Sequence, residues 1–428
     1  MIVQKPIVKK LKNGLRVLLL PMPQSASVTV AVFVRAGSSY EDKHNNGISH
    51  FLEHMCFKGT QKFPRPMDIA TELEQMGALY NAFTARDLTG YYAKVSPRHF
   101  KRAAEVIFDL YLTPQISKEE MEKEKGVIIE EIHMYDDDPQ SKVGEELEKA
   151  LYGDQPAGWN IAGTPERVMR MNRDTFIQYR TKHYTPHNTV VVVAGAYDMQ
   201  KAYQLIQRSF NKMGLGKSSP RASALIKGKQ GEQISIIERE LDQTHLALGF
   251  YGLPIFHKRK AHLSMLARVL GGGMSSRLFQ RVREELGAAY YVGAGNTMHA
   301  THGYLDISAG VAHTKLEKAL RGIKEEIQKI ITQGVSSKEL KRAQDYAIGT
   351  FQLSLESSSD LGFYYGQQET VLGTTETPQQ MIKKIKEVTP HDVQKAARDF
   401  LNPKTMRFSI IGPYKKNEEK KFKKLLGI

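Results

Sequence analysis

A chain of 428 residues is long enough for two or three domains with real cores, and 41% hydrophobic with 25% charged residues is the balance of a soluble globular protein. The net charge of +15 is spread along the chain and mixed with acids; with no RNA-binding signature, Cys-His finger or basic helix-turn-helix to focus it, nucleic acid is not an expected partner. Cys56 is the only cysteine, which excludes an intrachain disulfide and a thiolate metal site and fits a reducing compartment.

The N-terminal stretch MIVQKPIVKKLKNGLRVLLLP enters strand-like sequence at once. Its apolar run is too short for a signal-peptide core or a membrane span, so the expectation is a cytoplasmic protein without a membrane partner. Strands are predicted at Leu15–Leu20 and Val28–Val34, followed by a helical segment that contains His50-Phe51-Leu52-Glu53-His54. Four residues at about 3.6 per turn place His50 and His54 one above the other on a single face, able to hold one metal ion, with Glu53 beside the second imidazole. The order His-x-x-Glu-His inverts the more familiar His-Glu-x-x-His of metal hydrolases. Cys56, two residues after His54, reads as a small buried residue, and His44, His99 and His133 as surface or capping histidines.

Helices follow at Asp68–Met76 and His99–Leu112, and another from about Lys118 to Tyr135. In this last helix Met121, Ile128, Ile132 and Tyr135 form the core-facing stripe. Glu124 and Glu131, seven apart, share a face that flanks the stripe, whereas Glu122 and Glu130 point to water. A carboxylate beside a buried stripe is costly unless it is paired or bound to a metal, so these two acids are the informative ones. Spacing alone does not say which of them binds.

The remainder of the chain echoes the first part. HYTPHNTVVVVAGAYD from His183 has a counterpart in FLNPKTMRFSIIGPYK from Phe400, with Pro186 and Gly195 matching Pro403 and Gly412 at an offset of 217 residues. Ser117 and Ser336, 219 residues apart, are matching helix N-caps. The unit is half the chain: a first domain over 1–212, a Gly, Ser, Pro and Lys-rich linker over 213–232, and a second domain over 233–428 that lacks His-x-x-Glu-His. Strands and helices mix without Gly-rich dinucleotide turns, so the predicted class is α+β, each half a mostly antiparallel sheet covered by helices. In the second domain Gly271–Gly273 lacks the Lys-Ser/Thr of a phosphate loop and reads as a turn. A helix follows it with Leu278, Val282 and Leu286 inward, capped by Ser275 or Ser276, ended by Gly287 and leading to a strand at Tyr290. The tail KKNEEKKFKKLLGI reads as a solvated terminal helix.

His50, Glu53 and His54, with Glu131 after 76 intervening residues, resemble the inverted-zinc-motif metallopeptidases, the family of mitochondrial processing peptidase, pitrilysin and insulin-degrading enzyme. The segments Ser49–Thr60, Glu124–Glu131, Asn81–Tyr92 and Gly271–Tyr290 all resemble family signatures, and the likeness covers nearly the whole chain, with a mild departure at Ala288. The length is similar to that of the short bacterial processing-peptidase-like members. The resemblance implies one Zn²⁺ per chain on His50, His54 and Glu131, with Glu124 orienting the ligands from behind. It implies a metalloendopeptidase of short or unfolded polypeptides in which Glu53 is the general base on the attacking water. Asn81, Ala82 and Phe83 would lie on an edge strand to which the peptide substrate adds as a further strand. Arg283 would grip a substrate carbonyl and Tyr290 would steady the oxyanion. Long members enclose a clamshell chamber built from four modules, so this chain would supply half and work as a homodimer. A heterodimer with a paralogous subunit, activity only with a separately encoded partner, and a non-catalytic scaffold are the alternatives; scaffold members commonly lack the metal set that this chain retains.

Overall fold

The computed structural model describes residues 5–214, 222, 225, 228 and 230–428, so most of the stretch read as a linker lies outside the described residues. Two mixed sheets, each covered by helices, make an α+β fold. The first contains β1 (Ile7–Lys10), β2 (Arg16–Pro21), β3 (Val28–Val34), β4 (Leu79–Thr84), β5 (Thr89–Val95) and β6 (Thr189–Gly195), in the order β1-β2-β6-β3-β5-β4. The second contains β7 (Ile234–Glu238), β8 (Thr244–Tyr251), β9 (Ala289–Met298), β10 (Gly303–Val311) and β11 (Arg407–Gly412), in the order β7-β11-β8-β10-β9.

Apart from β1, the two orders are the same arrangement. In each, a strand from late in the repeat (β6 or β11) inserts beside the first strand in parallel, and all other neighbours are antiparallel. The echoed segments account for this: a short turn at Pro186–Asn188 or Pro403–Thr405 delivers the chain into a central strand. β6 is a run of Val and Ala buried on both faces, as a central strand must be when helices or loops cover both sides.

Four helices of the first half matter below: α1 (Ile48–Cys56), α2 (Phe100–Leu112), α3 (Lys118–Asp137) and α4 (Pro139–Tyr152). From the second half come α5 (Lys260–Gly271), α6 (Ser337–Leu353) and α7 (Ser358–Leu372). The Ser117 and Ser336 hydroxyls accept the N–H groups of Glu120 and Glu339 at 3.2 and 3.1 Å, so both act as N-caps. Tyr135, placed in the inward stripe of α3 by its spacing, is instead 44% exposed, because α3 outruns its buried contacts after Ile132. The terminal helix Glu419–Leu426 is amphipathic rather than wholly solvated, with Phe422 and Leu426 buried.

The compact units are not the contiguous stretches 1–212 and 233–428. One comprises Met1–Ile132, Asn160–Ser223 and Gln352–Gln379; the other comprises His133–Trp159, Ala224–Phe351 and Gln380–Ile428. The halves have exchanged equivalent helices, α4 and α7, whose first residues Pro139 and Ser358 are 219 residues apart. In the first unit α7 lies on β3 and β6. Ser358 Oγ is 2.8 Å from Thr29 Oγ1, Arg16 Nη1 is 3.1 Å from Glu369 Oε1, and a Cβ on Gly366 would lie 2.4 Å from the Phe33 ring. In the second unit α4 lies on β8 and β11. There Tyr152 donates its hydroxyl to the Gly303 carbonyl at 2.8 Å, and a Cβ on Gly249 would meet Leu147 at 2.9 Å. A glycine at each contact, Gly366 within α7 and Gly249 in β8 beneath α4, lets helix and sheet approach closely. Among the described residues, no helix is long and apolar enough to cross a membrane.

Candidate metal centre

α1 is short, and its N-cap Gly47 has no side chain to cap it and sits at φ +99°, where an added Cβ would lie 2.6 Å from the Ala162 carbonyl oxygen. Glu41 supplies the cap from outside the helix. Its buried carboxylate accepts the Gly47 and Ser49 N–H groups at 2.8 and 2.9 Å and the Asn46 side-chain amide at 3.0 Å. Burial raises the Glu41 pKa, and these donors act against that rise. Ser49 Oγ is 2.7 Å from Tyr179 OH, a second tie that fixes the helix. Phe51, Leu52, Met55 and Cys56 are fully buried, so the opposite side of α1 presents His50 and His54.

α3 brings its acids to that side. Met121, Ile128 and Ile132 are buried, and Glu124 and Glu131 flank them. Glu131 Oε2 lies 3.6 Å from His50 Nε2 and 3.4 Å from His54 Nε2. The two imidazole centroids are 4.6 Å apart, and one ligand atom from each of the three residues falls within 4.8 Å of the others. Ligands about 2.1 Å from a tetrahedral Zn²⁺ stand about 3.4 Å from one another, so these separations suit the edges of a coordination tetrahedron. They are long for direct hydrogen bonds. Two imidazoles and one carboxylate are also the donor set of catalytic zinc sites, which leave a fourth position open.

Glu124 occupies a different position. Its Oε1 is 2.9 Å from His54 Nδ1, on the far side of the ring from Glu131, and its Oε2 is 2.6 Å from Lys58 Nζ. This fixes His54 with Nδ1–H donating to carboxylate and Nε2 free to bind. Burial works to lower the His54 pKa, but Glu124, Glu131 and Glu53 outweigh it and raise it to about 9 in the metal-free protein. His50 and then His54 hold Glu131 well below the usual carboxylate range. Burial raises Glu124, and His54 and Lys58 overcome this to leave its pKa low.

Glu53 is only 9% exposed, and its Oε2 accepts the Thr84 hydroxyl at 2.7 Å. Burial lifts its pKa; the Thr84 hydrogen bond and the two histidines oppose the lift. Thr84 ends β4, an edge strand that among the described residues pairs only with β5. Asn81, Ala82 and Phe83 lie on this strand, with Asn81 exposed and the other two half-buried. The Ala82 N–H donates to the Asn81 side chain at 2.9 Å. The Asn81 amide thus occupies a backbone donor on the open edge.

Arg283 and Tyr290 belong to the second compact unit. Arg283 lies over the Phe279 ring at 4.7 Å, and Tyr290 is 76% exposed at the start of β9. The segment Phe279–Glu285, expected to be α-helical, is wound as a π-helix. Leu286 N–H donates to Arg281 O, five residues back, so the winding differs while Leu278 and Val282 still point inward. Neither serine caps it: Ser276 Oγ has no hydrogen-bond partner among the described residues. Sequence reasoning gave no role to Glu41, Lys58 or Thr84. Lys58 and Thr84 lay inside stretches already singled out, whereas nothing local marks Glu41 as the cap of a helix that starts seven residues later.

The chain matches the family described as insulinase (peptidase family M16) over residues 16–165, and the peptidase M16 inactive domain over residues 170–346. It belongs to peptidase family M16. The first M16 match holds His50, Glu53, His54 and Glu131, and the second holds Arg283 and Tyr290. An M16 relative in Bacillus subtilis, named as the uncharacterized zinc protease YmxG, is 36% identical over 94% of this chain and 97% of its own length. An uncharacterized zinc protease of Rickettsia bellii is 35% identical over 95% of this chain and 97% of that protein. Among solved structures, a protease from Helicobacter pylori has the same fold, with a TM-score of 0.85 at 21% identity over 96% of this chain and 100% of that one. A Pseudomonas fluorescens structure described as a peptidase M16 inactive domain gives a TM-score of 0.88 at 20% identity, covering 96% of this chain and 98% of its own.

Proposed function

We propose that this chain is a zinc-dependent metalloendopeptidase acting on short or unfolded polypeptides. The observation that carries the reading is the placement of Glu131 Oε2 at 3.4 and 3.6 Å from the two imidazole Nε2 atoms, with the Glu53 carboxylate on the same helix. His50, His54 and Glu131 would hold one Zn²⁺ per chain. Zinc there supplies a Lewis acid that polarises the scissile carbonyl and acidifies the attacking water.

The remaining steps belong to the protein. Thr84 holds Glu53 Oε2, leaving Oε1 to accept the proton of the attacking water. Burial raises the basicity of Glu53, which suits it to take that proton and return it to the leaving amine. The substrate adds to β4 as an extended strand and displaces the Asn81 amide from the Ala82 N–H, so affinity comes from backbone pairing with little demand on sequence. In the same reading Arg283 grips a substrate carbonyl and Tyr290 steadies the developing oxyanion. The working form is a cytoplasmic homodimer, which light scattering of the purified protein checks.

Metal analysis tests the assignment. Wild type should carry close to one zinc per chain and lose peptide cleavage to a chelator, with recovery on adding zinc. His50→Ala should purify with little zinc. Cleavage that survives complete metal removal, or normal zinc content in His50→Ala, would overturn the proposal.

A further inference from the structure

The glycine turn that follows α5 shapes a cavity of about 290 Å³ within the second compact unit. Gly272, Gly273, Ser275 and Ser276 of the turn, Arg268 of α5, and Arg342 and Tyr346 of α6 are among the residues that line it. Its volume is at the lower end for small-molecule pockets, roughly 300 Å³, the scale of a phosphate or carboxylate group with its nearest waters.

The charge of this cavity is one-sided. Arg342 donates to the Ser275 carbonyl at 2.9 Å, and Arg268 makes a long contact of 3.4 Å with the Gly272 carbonyl while lying 5.5 Å over the Tyr346 ring. Neither guanidinium meets a carboxylate among the described residues, and each has five N–H donors, so most remain for a ligand. Glu339, the one acid on the wall, is held bidentately by Arg277 at 2.7 and 2.8 Å. Two positive charges are therefore left uncompensated around one small space.

Ser276 is 6% exposed, it lines the cavity, and its Oγ has no hydrogen-bond partner among the described residues. That oxygen is closed to solvent, so the charged donors the cavity offers are the two guanidinium groups. The glycines make room for the arginine and the tyrosine. A Cβ on Gly272 would lie 2.1 Å from Arg268 Cδ, and one on Gly273 would lie 3.2 Å from the Tyr346 ring.

We propose that this cavity binds a small oxyanion, a phosphate or a carboxylate group, through the Arg268 and Arg342 guanidinium groups. The side chains make the site, not a cradle of backbone N–H groups, which is why the turn lacks a phosphate-loop motif. The anion is either free in solution or a carboxylate carried on a peptide.

Calorimetric titration of the zinc-loaded full chain with inorganic phosphate, at constant ionic strength, tests the site. The same titration on His50→Ala separates this cavity from phosphate captured at the metal centre. Saturable binding should persist in His50→Ala, and adding Arg342→Gln or Arg268→Gln should weaken it about tenfold or more. An N-acetylated acidic tetrapeptide that displaces phosphate would identify a peptide carboxylate as the occupant, and phosphate binding without such displacement would identify a free anion. Absence of saturable binding of both probes, or equal phosphate affinity with and without the two arginines, would overturn the proposal.

Discussion

The Thr84 hydroxyl lies 2.7 Å from Glu53 Oε2, joining the last residue of the edge strand to the acid between the two histidines. The hydrogen bond fixes one carboxylate oxygen and ties the strand proposed to receive substrate to the group proposed to move the proton. Thr84→Val keeps the shape and removes the donor. It should lower kcat for peptide cleavage about tenfold, the scale of one lost hydrogen bond to a charged group, with zinc content unchanged. Thr84→Ser should retain most of the activity. Steady-state kinetics with metal analysis of both variants checks this.

Glu124 acts on the centre through His54. It holds Nδ1 at 2.9 Å and is itself neutralised by Lys58 at 2.6 Å. Glu124→Gln leaves all three proposed ligands in place but weakens the carboxylate–imidazole contact, so zinc affinity should fall by roughly 10- to 100-fold. Lys58→Met should act in the same direction. Competition with a fluorescent zinc chelator measures both.

The exchanged helix α7 depends on close approach to the first sheet. A Cβ on Gly366 would sit 2.4 Å from Phe33 Cε2 and 2.9 Å from a Val192 methyl, both in the buried interior. Gly366→Ala should therefore destabilise the fold by about 1–3 kcal/mol through overpacking, although alanine is the better helix former. Urea unfolding of the variant gives the value. An unchanged midpoint would mean that α7 does not bear on β3 and β6 as described.

His183 is 2% exposed beside Tyr179, and burial, with a smaller effect of Lys182, pushes its pKa down to about 4. In the unfolded chain the same histidine titrates near 6.5. Between these values the unfolded chain binds a proton that the folded chain does not. Stability from this group is therefore present above about pH 6.5 and is lost as pH falls toward 4, on the order of 2 kcal/mol by pH 5. His183→Gln should show a correspondingly smaller drop in unfolding free energy between pH 7 and pH 5.

The parts of the centre legible in the sequence are those governed by local geometry. His50 and His54 face one way because they are four apart on a helix, and Glu124 and Glu131 share a face because they are seven apart. Which acid meets the imidazoles depends on how α3 crosses α1, a tertiary fact that spacing cannot supply and that the family resemblance did. The repeat showed that β6 and β11 are equivalent, since turn and strand chemistry is local. It did not show that α4 and α7 change places, because an amphipathic helix carries no record of which of two similar sheets covers it. The Glu41 cap escaped notice for a related reason: it reaches α1 across a loop, where no N-cap pattern marks it. Tyr135 fitted the stripe of α3, yet the period of a helix does not say where its covering ends.

The most direct test of the central claim is cleavage of an unstructured fluorogenic peptide by wild type and by Glu53→Gln, each with its zinc content measured. The substitution leaves His50, His54 and Glu131 intact and removes only the proposed base. Both proteins should carry equal zinc, and the variant should lose at least about a thousandfold in cleavage, within the range of general acid–base contributions. Equal cleavage by two zinc-loaded proteins would contradict it.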